Sequence, residues 1–467
     1  MAEEQAKFLS GSLMRHVVVM SSTSSLGLMA VFLVDFIDMI FISMLGKAEL
    51  AAAIGYAGAI LFFTTSVSVG LAIAAGALVS RALGAGEPDR ARVIGTHVMV
   101  FGFVLACGFA ALVWAFTPEL SALLGASGET LDLSVSYLSI IVPTMPFLML
   151  GMTAGAILRA HGDARRAMWA TLAGGAVNAV LDPILIFGLN LELTGAALAS
   201  VAARMTIMVV GLMPILRHYG GMARVEALPF LRDLRQISGI AFPAMLTNVA
   251  TPVGAAYVTR EMAAFGEEAV AGMAIVGRLT PVTFAVIFAL SGAIGPIIGQ
   301  NFGARNFDRV RGAIRDGLIF TGVYVALAAV ILFLLRDPIA VLFDADGLAK
   351  SLIYLFCGPL ALAWFFNGAI FVGNAAFNNL GHPFYSTWIN WGRNTLGTIP
   401  LVTVGAWAFG APGVLIGQAA GGVIFALVSW WLTARLVTRQ EVGEAATPER
   451  PVFSRRARAI QTLHLRR

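Results

Sequence analysis

LVSRALGAGEPDRAR, residues 78–92, and IIGQNFGARNFDRVR, residues 297–311, follow one pattern. In each, an apolar stretch of small residues stops at a glycine (Gly84, Gly303), and an Asp-Arg-x-Arg run follows (Asp89–Arg92, Asp308–Arg311). The offset is 219 residues, and three further matches keep it almost constant. GKAELAAAI from Gly46 aligns with GEEAVAGMAI from Gly266 at 220, AILRAHGD around Gly162 with AAFNNLGH around Gly381 at 219, and TGAALAS with APGVLIG, at Gly195 and Gly413, at 218. Four matches in order mark an internal duplication, and duplication decides architecture before any single element does.

The duplicated unit is built for a bilayer. Of the 467 residues, 58% are hydrophobic and 12% charged, with a mean hydropathy of +0.84. A soluble domain carries roughly twice that share of charge. Runs such as VMVFGFVLACGFAALVWAFT (98–117) and GLIFTGVYVALAAVILFLL (317–335) reach the ~20 residues that span a membrane. Twelve apolar helices are predicted, near 17–45, 54–80, 93–117, 133–157, 167–189, 194–216, 237–260, 271–298, 314–335, 350–377, 384–409 and 413–434. Each half holds six, an even number, so both halves enter from the same side. The expectation is an all-α polytopic membrane protein with twelve transmembrane helices in two pseudo-symmetric six-helix lobes. Such lobes, related by an axis along the membrane normal, enclose a cavity that opens alternately to each side, as in secondary transporters.

A sequence pI near 9.5 suggests a nucleic-acid partner until the basic residues are located. Alternate connections collect 24 of the 31 Lys and Arg residues, while the other side has only Lys47, Arg336 and Lys350. The charge therefore reports topology, no nucleic-acid partner is expected, and the basic side is the cytoplasmic one. Both termini are placed there, in a bacterial inner membrane. The expected organisation is a cytoplasmic N-terminus (1–16), a first lobe (17–216), a cytoplasmic linker (217–236), a second lobe (237–437) and a basic, mobile cytoplasmic tail (438–467). Cys107 and Cys357 lie in apolar helices, offer no disulfide framework and are expected in the core.

Against this background the stretch LVDFIDMIFISMLG, residues 33–46, is anomalous. It sets Asp35 and Asp38 in an apolar helix with no basic partner. A third acid, Asp182, lies in NAVLDPILIF (178–187). An ion near the bilayer centre costs at least ~2.5–3.5 kcal/mol, so each acid needs a reason. The plain alternative is hydration near a helix end or a structural hydrogen bond. Depth argues against that, because Asp35 and Asp38 fall roughly 6–10 Å beyond the helix midpoint at 1.5 Å per residue, and Asp182 sits at a matching level. The duplication supplies a control: Asp35 maps to Ala255, Asp38 to Val258, and Asp182 to a segment before Pro400 without a carboxylate. The scaffold does not need these acids. Asn178 lies one turn from Asp182 on the same face, and Pro183 frees the Ala179 carbonyl. Carboxylates, an amide and a carbonyl suit a hard monovalent cation, and the same desolvated, crowded carboxylates could instead carry protons.

Other polar residues in the spans carry weaker signals. Arg204, Arg260, Arg278 and Arg393 are expected to cap helix ends or snorkel, with Arg204 able to approach the acids. Asn367, Asn374 and Asn390 line the second lobe or bond between helices. An intramembrane enzyme is excluded by the lack of an HExxH, GxSxG or paired-His pattern.

With these residues in place, the chain resembles the multidrug and toxic compound extrusion (MATE) family over roughly 15–437. DMIFISMLG (38–46) is similar to the family's first-helix ending, with Ser43 at a usual glycine; RAHGDAR (159–165), NAVLDP (178–183) and GAALAS (195–200) resemble three further family segments. The resemblance implies export of amphipathic, often cationic, small molecules in exchange for inward H⁺ or Na⁺, with no other cofactor, from a monomer embedded in the lipid bilayer. It also implies a cation site of Asp38, Asn178, Asp182 and Ser200, and makes Asp38 the essential first-helix acid. Asp35 stands where relatives often carry an amide. The second lobe lacks mid-membrane acids, which places the chain nearest the branch of DNA-damage-inducible F-type proteins. The competing expectation within the superfamily is a lipid-linked oligosaccharide flippase, which uses basic cavity residues that are scarce here.

Overall fold

The computed structural model describes residues 6–445. The described chain is helical throughout, as the absence of polar alternation and the length of the apolar runs require. In the first half, α1 is Leu13–Met44, α2 Ala48–Gly84 and α3 Pro88–Ala115. A short helix, Thr117–Leu123, leads to α4, which is Gly128–Ile141 and Met145–Ala160 joined by a 3₁₀ turn at Val142–Thr144. Then come α5, Ala164–Pro183, and α6, Glu192–His218. In the second half, α7 is Ala227–Ala263, α8 is Glu267–Thr283 plus Ala285–Gly303, and α9 is Phe307–Leu342. The next helix, α10, runs from Gly347 through a π segment at Phe356–Leu360 to Asn379.

The last helical stretch, 384–445, is two helices. The chain reverses at Gly410, whose φ of 65° and ψ of −147° lie outside helical space. Around that reversal the two arms run antiparallel at backbone contact: a Cβ on Gly405 would fall 2.1 Å from the Gly413 carbonyl oxygen, and one on Gly417 2.2 Å from that of Leu401. We number the arms α11 (384–409) and α12 (411–445). Among the described residues, eleven helical stretches are long and apolar enough to cross a membrane, and the reversal at Gly410 splits the last of them to give twelve crossings.

The duplication survives in the helix bounds. Ala48 and Glu267, Pro88 and Phe307, and Gly128 and Gly347 each begin equivalent helices 219 residues apart, and Ala160 and Asn379 end them. The copies differ where proline intervenes. Continuous α2 corresponds to interrupted α8, whose Pro281 removes the N–H that would bind the carbonyl of residue 277.

The lobes meet on the basic side, and the two motifs quoted first form the seam. Gly84 packs on Gln300, where a Cβ would fall 1.9 Å from the carbonyl oxygen, and Gly303 packs on Arg81 at 2.1 Å. Arg81 donates to the Asn378 carbonyl, and its repeat counterpart Gln300 donates to the Ala160 carbonyl at 2.8 Å. A 3₁₀ turn, Lys7–Leu9, lies across this seam. Phe8 is fully buried in a hydrophobic cluster that joins Val17 and Ala164 to Ile294, Ile297 and Val310. Its N–H donates to Gln300 Oε1 (2.8 Å), its carbonyl accepts from Arg309 (2.8 Å), and Lys7 donates to the Gly162 carbonyl (2.9 Å). A second clasp joins α3 to the start of α7: Asp233 accepts both guanidinium arms of Arg90 and contacts His97 Nδ1 at 2.7 Å. Farther in, Phe32 meets Phe288 edge to face at 6.4 Å. Among the described side chains, the hydrogen bonds between halves all fall on the basic side. The lobes are therefore shut on that face.

Two expectations change in detail. Cys357 is buried, but Cys107 is exposed on α3 and faces outward from the bundle. The linker placed at 217–236 is helical from Ala227 onward, because Asp233 and Phe230 anchor that turn against His97. The tail expected at 438–467 lies mostly outside the described residues, with α12 described to residue 445.

Candidate cation site

The site lies inside the first lobe, between α1, α4, α5 and α6. Helix α1 can approach α5 because both faces are cut back to glycine: a Cβ on Gly27 would already touch Thr171, and one on Gly175 would sit 3.3 Å from Val34. Beyond that crossing, Asp38 on α1 faces Asp182 on α5, close enough for the two carboxyl groups to interact directly. Asp182 is fully buried, and Asn178, one turn earlier, donates its amide N–H to Asp182 Oδ2 at 2.6 Å. One oxygen of each acid, Asp38 Oδ1 and Asp182 Oδ1, is buried without a hydrogen-bond partner.

Pro183 fixes the end of this helix. After it the chain continues as a π turn over Ile184–Gly188, closed by Leu189 N–H on the Ile184 carbonyl at 2.9 Å. Gly195 of α6 is pressed against that turn, where a Cβ would fall 2.8 Å from the Leu185 carbonyl carbon. The close approach brings Ser200, about one and a half turns along α6, towards the site. Ser200 lies beside Tyr137 of α4, and Tyr137 in turn lies near both Asp38 and Asp182.

Of the residues expected here, the structure brings Asp38, Asn178 and Asp182 into one contact set and connects Ser200 through Tyr137. Asp35 belongs to α1 by its backbone, one turn towards the basic side; its side chain, like that of Ser43, lies outside what the structure describes. Tyr137 was not expected. A lone tyrosine in an apolar span carries no motif, and only its place six residues before Pro143, where α4 is interrupted, sets it apart. Arg204, expected to be able to reach the acids, is committed elsewhere, donating to the Ile141 carbonyl and the Thr144 hydroxyl, both at 3.1 Å. It thereby satisfies the interruption of α4. Arg260 and Arg278 are exposed, while Arg393, in a π segment of α11, has its Nη1 buried without a partner. Asn374 and Asn390 bond each other at 3.1 Å, as interhelical amides do.

The chemistry follows from the donor set. Two carboxylates in contact cannot both remain bare in a low-dielectric site; a proton or a cation must lie between them. A buried acceptor without a donor is costly, so the two orphaned oxygens call for such an ion. Outside the membrane, Lys47 and Glu192 pair at 2.8 Å across the α1–α2 and α5–α6 connections, and Glu192 holds the Lys47 ammonium above its ordinary range.

Asp38, Tyr137, Asn178 and Asp182 lie within a recognised family pattern. The MatE family model matches residues 24–184 and 243–404, one segment in each half.

The chain belongs to the MatE family.

Full-length relatives agree with the membership. A protein named FAD transporter from Shewanella oneidensis is 29% identical over 439 residues, covering 92% of this chain and 96% of the relative. Multidrug export protein MepA from Staphylococcus haemolyticus is 25% identical over 452 residues, covering 96% and 99%. Among solved structures, the Vibrio cholerae MATE transporter VcmN in its bent form superposes with a TM-score of 0.87 at 23% identity, covering 92% of this chain and 98% of that one. A MOP superfamily transporter from Pyrococcus furiosus also superposes at 0.87, with 20% identity and coverage of 94% and 99%. These neighbours have the twelve-helix, two-lobe MatE architecture. The chain is thus a multi-pass membrane transporter and not an enzyme.

Proposed function

We propose that this MatE chain is a secondary active antiporter that exports amphipathic, often cationic, small molecules from a bacterial cytoplasm in exchange for inward H⁺ or Na⁺. One observation carries the reading: the approach of Asp38 to Asp182 in a buried site with two orphaned carboxylate oxygens and, among the described residues, no basic partner. An inward-moving cation satisfies those oxygens, and its departure leaves two repelling carboxylates that must find another cation or rearrange. That is the differential affinity an ion needs to shift a conformational equilibrium. Asp38, Asn178 and Asp182 act as the donors, with Ser200 and Tyr137 closing the α4–α6 side and Asp35 tuning the charge one turn below.

The positive-inside distribution supports a cytoplasmic basic side, so the seam at Gly84 and Gly303 closes the cytoplasmic face. One chain supplies both lobes and the whole donor set, which supports action as a monomer. The relative named multidrug export protein supports drug-like cargo.

A second reading is export of an anionic substrate. The relative named FAD transporter raises it, and the unpartnered Nη1 of Arg393 in the second lobe favours it. A lipid-linked pyrophosphate falls in the same class. The two readings separate in proteoliposomes. Efflux of a cationic dye driven by an imposed pH or Na⁺ gradient, blocked by other cations and indifferent to Arg393→Gln, is expected. Transport of FAD lost in Arg393→Gln, with no cationic dye moved, would establish the anionic reading instead.

A further inference from the structure

Where α12 leaves the bundle on the basic side, the structure forms a recess of about 130 Å³ that shares no residue with the candidate cation site. His382 lines it from the turn before α11, Tyr385 from the first turn of α11, and Arg435, Arg439 and Gln440 from α12. The two arginines are one helical turn apart and share a face. Among the described residues neither has a carboxylate partner, whereas Arg311 nearby is paired with Asp308 and Glu441. The recess is also ordered. The His382 ring stacks on Tyr385 with centroids 5.4 Å apart and an interplanar angle of 16°. Gln440 donates to the Leu380 carbonyl at 3.2 Å and lies 3.4 Å from His382 Nε2. Arg435 is held over the Trp431 ring at 5.2 Å.

The surface leading to the recess is apolar. Ile424, Val428 and Trp431 precede Arg435 at spacings that put all four on one face of α12, and each of the three is exposed. Trp388 of α11, 62% exposed, stands beside Tyr385 at 5.5 Å and completes the wall. Two exposed tryptophans at this depth are interfacial anchors, and they place the recess at the headgroup level of the membrane. Two unpaired guanidiniums and an imidazole at headgroup depth, with an apolar track running into the bilayer, match a phosphate joined to acyl chains.

We propose that this recess binds the phosphate headgroup of an anionic phospholipid, with Arg435 and Arg439 on the phosphate and the acyl chains along Ile424, Val428 and Trp431. The bound lipid clips α12 to the turn before α11 on the face where the lobes close.

Native mass spectrometry of the full-length protein, released from detergent containing phosphatidylglycerol, phosphatidylcholine or inorganic phosphate, tests the assignment. Phosphatidylglycerol adducts should survive at collision energies that strip phosphatidylcholine. Replacing both arginines (Arg435→Gln with Arg439→Gln) should weaken retention roughly 10–30-fold, since each basic residue near a headgroup is worth about one kcal/mol. Arg232→Gln with Arg235→Gln, which removes equal charge from exposed positions on the same side, should change it less than about twofold. Trp388→Ala with Trp431→Ala should weaken the lipid and leave phosphate unaffected. Equal loss in both arginine pairs would reduce the effect to general surface charge and overturn the proposal. Phosphate retained as well as the lipid would reassign the recess to a free anion and overturn it too.

Discussion

Removing the Phe8 side chain should open the seam. Phe8 is fully buried between the halves, and its backbone hydrogen bonds to Gln300 and Arg309 do not depend on the ring. Phe8→Ala therefore removes apolar burial and leaves the strap's polar contacts in place. Burial of such a side chain is worth ~1.5–3 kcal/mol. If the ring is buried only while the lobes are shut, taking about 2 kcal/mol shifts the closed-to-open ratio roughly 30-fold towards opening on the basic side. A cysteine reports it directly. Ser80 is fully buried at the seam, facing Gly299. In a background carrying Cys107→Ser and Cys357→Ala, Ser80→Cys should label slowly with a membrane-impermeant maleimide applied from the basic side. Adding Phe8→Ala should raise that rate by one to two orders of magnitude, with the gel-filtration profile unchanged. Labelling that stays within about twofold would refute the strap, and with it the argument that the seam in this structure is held by contacts on that face.

Three further outcomes follow from the same geometry. Gly84→Ala places a Cβ on the Gln300 carbonyl, so the seam must part, and labelling at Ser80→Cys should rise while transport falls; normal transport would show that the working closed state does not use this approach. Tyr137→Phe and Ser200→Ala should each raise the half-saturating concentration of the coupling cation about 3–10-fold, and the double variant should be no worse than either alone if the two side chains act through one contact. Asp35→Asn should leave gradient-driven efflux within about threefold of the parent, with its effect visible as a displaced pH profile.

Much of this architecture is legible in the sequence, and the rest fails for identifiable reasons. The motif pair ending at Arg92 and Arg311 reveals the duplication, and the helix bounds keep its 219-residue offset at Ala48/Glu267 and Pro88/Phe307. Uncompensated charge also reads well: acids in apolar helices are expensive, so Asp38 and Asp182 stand out before their contact is seen, and Asn178 follows as the amide one turn from Asp182. What does not read is whatever depends on a partner distant in sequence. Phe8 is one aromatic in a short polar lead, and only Gln300 and Arg309, some three hundred residues away, give it a role. Tyr137 resembles any interfacial tyrosine until α4 and α6 are brought together. Cys107 illustrates the reverse limit, since hydropathy cannot separate a core face from a lipid face when both are apolar. The reversal at Gly410 is legible as a turn between two spans.

The central claim is that the Asp38–Asp182 pair couples a cation to substrate movement. The most direct measurement is transport in proteoliposomes by the parent, Asp38→Asn and Asp182→Asn, each assayed for gradient-driven uptake of a cationic dye and for dye exchange at equilibrium. Either substitution should abolish gradient-driven accumulation while the folded protein still exchanges dye. Accumulation at the parental rate in both variants would contradict the account.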